Sequence, residues 1–149
     1  MKKTSAIEGG ATGALALTLI HETVKRLDPK APRMDLLGMN AISKLLKSLG
    51  QDPPEKHKLF VLAMIGDLIS NSLYYSLAGL GSKKSVFQRG ILLGLGAGLG
   101  AVLLPKPLQL NEAPTNRTTK TKAMTIGLYL IGGLVAAAII KYMENKNEP

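Results

Sequence analysis

Few side chains in this sequence could do chemistry, and the most suggestive of them lie in an otherwise apolar run. Asp67, Ser70, Asn71 and Tyr74 follow one another at three- and four-residue steps, which on a helix puts them on one face. The surrounding stretch, residues 59–80, has Asp67 as its single formal charge. A carboxylate in such surroundings must face other helices, pair with a cation or take up a proton. Two readings follow. One is an ion or proton relay, or a polar substrate site, built on Asp67 and Asn71. The other is a buried polar lock that pins helix register.

His21 and Glu22 form the second group. Adjacent residues sit about 100° apart around a helix, so the two are not a same-face chelating pair. One of them could reach Asp67 or a basic residue across the bundle. The simpler account leaves both half-hydrated at a membrane interface beside Lys25 and Arg26. A metal site needs three or four ligands. The chain has two histidines, of which His57 lies at the edge of a connector, and it has no cysteine. No metal or other cofactor is expected, and disulfides and a thiolate nucleophile are excluded. Glu8 suits a helix N-terminus, where negative charge is favoured.

The glycines of residues 94–100 invite comparison with a phosphate-binding loop. They lie inside an apolar, helix-length run, and no Gly-Lys-Ser/Thr element follows, so the comparison fails. No nucleophile elbow and no His-Glu-x-x-His motif occurs. With no catalytic constellation, the chain is not expected to be an enzyme.

The elements that must position these residues follow from how charge is segregated. The chain has 149 residues, 46% of them hydrophobic, and a net charge of +9 from 19 Lys and Arg against 10 Asp and Glu. Long charge-poor runs alternate with short charge-dense ones, which is a membrane pattern. The basic residues fall between the apolar runs rather than on one face, and aromatic residues make up only 4%. Lipid headgroups therefore suit them better than nucleic acid does. The expected fold is all-α: a polytopic integral membrane protein, one membrane domain over 1–149, with four transmembrane helices at about 5–24, 59–80, 86–104 and 123–140. An interfacial amphipathic helix at about 36–49 lies between the first and second spans, with Asn40, Ser43, Lys44, Lys47 and Ser48 on its polar face.

The first span is the least regular. Only residues 9–20 are free of ionisable groups, about 18 Å of helix against a hydrocarbon core of about 30 Å. The opening Met1-Lys2-Lys3 superficially resembles a signal peptide. Glu8 interrupts its apolar stretch and no small-x-small site precedes His21, so a retained span is expected. The short basic turn at 82–85 implies that the second and third spans are antiparallel neighbours. The polar connector 109–122 reads as a mobile loop, and the tail 141–149 as frayed.

Small residues crowd three of the spans: Gly9, Gly10 and Gly13 in the first; Gly90, Gly94 and Gly98, with a second row at Gly96 and Gly100, in the third; Gly132 and Gly133 in the fourth. Such rows let helices approach closely. The leading functional expectation is accordingly a non-enzymatic inner-membrane protein of bacterial type. Its partners would be the lipid bilayer and, through helix–helix assembly, further copies of itself or a larger membrane complex in which it is an accessory subunit. The alternative is a small transporter or ion- or proton-conducting protein using Asp67 and Asn71. Twelve of the 19 Lys and Arg fall in the connectors 25–58 and 106–122, so the positive-inside rule leans towards cytoplasmic connectors and termini outside.

Overall fold

The computed structural model describes residues 1–146; the last three residues of the tail expected to be frayed lie outside them. Six α-helices occur among the described residues: α1 (Lys3–Leu27), α2 (Met34–Ser48), α3 (Lys56–Ser76), α4 (Val86–Leu103), α5 (Ala113–Asn116) and α6 (Thr119–Lys146). No strand occurs among them. Two single 3-10 turns, Leu77–Gly79 and Lys83–Ser85, join α3 to α4. Gly81, at φ 86°, makes the bend between these turns possible.

Three segments, Lys56–Gly79, Lys83–Leu103 and Thr119–Lys146, are long and apolar enough to cross a membrane, where the sequence suggested four. α1 has the length: 25 residues, or about 38 Å at 1.5 Å per residue. What it lacks is an unbroken apolar run, because Glu8, His21 and Glu22 interrupt it. The amphipathic helix is present as α2, and the last span is longer than expected, continuing to Lys146.

The four long helices form a row in the order α4, α6, α1, α3, with α2 laid against the first half of α3. Every neighbour in the row is antiparallel. Gly90, Gly94 and Gly98 of α4 meet α6 successively at Gly133, Leu130 and Ile126. On the other side of α6, Gly9 meets Ile140 and Gly13 meets Gly132. Gly10 of α1 lies against Ser72 and Ser76 of α3. The expectation that α3 and α4 pack together fails: they are antiparallel but touch only weakly. The physical reason is competition for glycine rows. The row on α4 takes α6, the row on α1 takes α3 and α6, and α3 has no such row to offer α4.

Both long connectors lie at one end of the bundle and are tied to each other. The Arg33 amide donates to the Pro114 carbonyl at 2.8 Å, Arg117 donates to the Pro29 and Ala31 carbonyls, and Lys120 pairs with Asp28. Thr115 Oγ1 donates to the Ala101 carbonyl at 2.8 Å and Asn116 to that of Val102 at 2.6 Å. The 109–122 segment is thus an ordered cap carrying α5, not a loose loop. At the opposite end the Lys2 amide meets Glu144 at 2.8 Å, and Arg89 closes the short turn onto the Ala78 and Ser82 carbonyls.

The outward faces are apolar. Ile65, Ile69 and Leu73 of α3, Leu92 and Leu99 of α4, and Leu15 and Leu19 of α1 are all exposed, Leu73 by 67% and Leu92 by 69%. The interior mixes small residues with Leu17, Val86, Ile140 and the largest, Tyr75, which is fully buried against Gly132 and donates its hydroxyl to the Tyr129 carbonyl at 2.8 Å.

Candidate functional site

The weak contact between α3 and α4 leaves a space. It is an open cavity of about 590 Å³, within the roughly 300–1,000 Å³ of small-molecule sites. One wall is the polar stripe read from the sequence: Asp67, Ser70, Asn71 and Tyr74 all line it. The opposite wall is α4, with Gly96, Ala97, Gly100 and Ala101. Tyr129 of α6 forms the floor, and Met34, Leu37, Gly38 and Ala41 of α2 the roof, with Pro105, Leu108 and Leu110 of the second connector beside them.

The two glycine rows of α4 therefore do different things. Gly90, Gly94 and Gly98 are buried against α6, where an added Cβ would strike backbone. Gly96 and Gly100 face the cavity and keep its wall flat; a Cβ at Gly96 would stand 3.2 Å from the Tyr74 hydroxyl. Spacing alone separates the rows but does not say which one packs.

Asp67 is half-buried, and Asn71, one turn on and buried, is its side-chain hydrogen-bonding neighbour. Among the described residues no basic side chain forms an ion pair with Asp67. The nearby cations have other partners. Lys25 bonds Glu22 at 2.6 Å and Asp35 at 3.4 Å. Arg33 makes a two-pronged contact to Asp35, Nε to Oδ1 at 2.9 Å and a terminal nitrogen to Oδ2 at 2.7 Å.

His21 and Glu22 are not in this cavity. His21 is buried, and its Nε2 donates to the Pro32 carbonyl at 3.0 Å, tying α1 to the turn before α2. Its Nδ1 faces Glu22 at 3.6 Å. These residues and Asp67 share a much smaller void of about 20 Å³, lined also by Leu17, Phe60 and Ala63, which is room for about one water. His57 is exposed at the start of α3. Among the described residues no cluster of three or more His, Cys, Asp or Glu could hold a metal. The candidate packing glycines Gly9, Gly13, Gly90, Gly94, Gly98, Gly132 and Gly133 are all buried at contacts between helices of the one chain.

Sequence reasoning missed Tyr129, the Tyr75 lock and the link from Lys25 of α1 to Asp35. Each depends on which helices are neighbours, and the apolar surroundings of Tyr129 gave no local signal. Comparisons with protein-family models, with curated proteins and with solved structures find no match to this chain, so its site is read from its own geometry.

Proposed function

We propose that the chain is a small polytopic protein of a bacterial inner membrane that holds a cation or a proton at Asp67 and Asn71, as a small transporter or ion-conducting protein does. The observation that carries this reading is a carboxylate without a basic partner on the wall of a cavity between span-length helices. A charge at such depth is expensive and is kept where it binds something.

α1 serves as the fourth span in this reading. It is flanked by α3 and α6, both long and apolar enough to cross, and a helix running antiparallel along both must cross with them. Leu15 and Leu19 give it a lipid-facing side, while Glu22 is paired with Lys25 and His21 donates to the Pro32 carbonyl. With twelve of the 19 Lys and Arg at the connector end, that end faces the cytoplasm.

Asp67→Asn tests the reading in proteoliposomes. Cation- or proton-dependent flux should fall at least tenfold while the detergent melting temperature moves little. Unchanged flux ends the proposal; loss of folding instead favours the polar lock. Assembly as a homo-oligomer or accessory subunit stands second, because the glycine rows that suggested it are occupied within one chain. Sizing in mild detergent decides that reading: a lone monomer would end it.

A further inference from the structure

The geometry points to a lipophilic organic cation as the occupant of the α3–α4 cavity, an ammonium or phosphonium with an apolar body, reaching Asp67 sideways from the bilayer. This inference rests on the binding role proposed for Asp67 and names the chemistry of its ligand. Three features carry it.

The first is charge. Asp67 is the one ionisable carboxylate on the cavity wall, and no Lys or Arg lines that cavity. An occupant with a positive charge supplies what Asp67 lacks, and an anion is repelled. The second is the lining. Apart from the α3 stripe, the walls are Leu, Ala, Gly, Met and Pro, with the aromatic side chains of Tyr74 and Tyr129 lining the same cavity as the carboxylate. Aromatic side chains and a carboxylate in one cavity suit an organic ammonium, which rings attract through cation–π interaction. A small metal ion instead demands six or so oxygen ligands, and one carboxylate with an amide and hydroxyls does not replace its water shell. The third is access. α3 and α4 scarcely touch, and Gly96 and Gly100 put no side chain of their own into the gap, which the Tyr74 hydroxyl reaches across near Gly96. The outer faces of both helices are apolar, with Ile69, Leu73, Leu92 and Leu99 exposed. A molecule dissolved in lipid can approach along those faces.

The purified protein in detergent is titrated calorimetrically with tetraphenylphosphonium, with tetraphenylborate of the same shape and opposite charge as control. Expected are saturable binding of the cation, none of the borate, and at least tenfold weaker cation binding in Asp67→Asn. Gly96→Leu, which fills the cavity but keeps the carboxylate, should also weaken binding at least tenfold. Gly100→Leu is a second filler should Gly96→Leu fail to fold. Equal binding of both probes, or cation binding unaffected by Asp67→Asn, overturns the inference. So does a wild-type protein that ignores tetraphenylphosphonium yet shows Asp67-dependent proton or sodium flux, and that result leaves the broader proposal standing. Absence of both cation binding and flux removes the two together.

Discussion

Asp35, near the connector end, and Asp67, midway along α3, are both carboxylates, and their neighbours give them opposite tasks. Asp35 has a side chain only 5% exposed and is held by Arg33 and Lys25. Burial alone pushes its pKa up, but the Arg33 hydrogen bond and the Lys25 and Arg33 charges outweigh that, so it titrates below the ordinary carboxylate value. Because the folded-state pKa is depressed, the stabilisation is fully present above the unfolded value of about 3.9 and is lost as pH falls through the folded one. Asp35→Asn should therefore lower stability at pH 7 by roughly 1.5–3 kcal/mol, the range for a hydrogen bond to a charged group. It should also flatten the acid limb of the melting curve below about pH 4. Thermal melts in detergent across pH 2–7 check this, and an acid limb as steep as the parent's would show that other groups set it. The cluster is structural: every charge in it has a partner. Asp67, by contrast, lines a space large enough for a ligand and has no basic residue beside it on the cavity wall.

The helices owe their order in the row to glycine. A Cβ at Gly94 would come within 2.7 Å of the Leu130 Cα and 2.9 Å of the Tyr129 carbonyl oxygen, and backbone cannot step aside as a side-chain tip can. Gly94→Ala should thus force α4 off α6, at a cost towards the upper end of the roughly 1–3 kcal/mol typical of overpacking. Gly66, on the outer face of α3, has nothing within 4 Å of its Cβ position. Gly66→Ala should stabilise by up to about 1 kcal/mol, since alanine is the better helix former. Comparative unfolding of the two variants in one detergent makes the contrast, and similar losses in both would mean that the α4–α6 contact is looser than its geometry. The glycine rows, the amphipathic α2 and the Asp67–Ser70–Asn71–Tyr74 face were all legible in the sequence, because periodicity is a local property of a helix. The pairing of those faces was not. Nothing in the spacing of Gly90, Gly94 and Gly98 says that they meet α6 rather than α3, and so nothing in the sequence announced a gap between α3 and α4, or that Gly96 and Gly100 would line it.

At the scale of the molecule, alternation of four antiparallel helices sends both long connectors to one end and the 82–85 turn to the other. Charge segregation made that arrangement readable, although α1 was the hard case: its polar residues lie near its two ends, where His21 is held by the Pro32 carbonyl of the connector and Glu22 by Lys25 one turn on. The chain has no cysteine, so single substitutions report topology cleanly. Ser48 and Lys106 are exposed at the connector end, and Ser82 is exposed at the other. With a membrane-impermeant maleimide applied to intact spheroplasts, Ser82→Cys should react at once, while Ser48→Cys and Lys106→Cys should react only after permeabilisation. The mirror-image pattern would reverse the orientation argued from the basic residues but keep the bundle. Labelling of Ser48→Cys and Ser82→Cys from the same side would do more damage. Since α3 alone runs between the two positions, that outcome means that it does not cross, and a helix that does not cross cannot hold Asp67 at membrane depth.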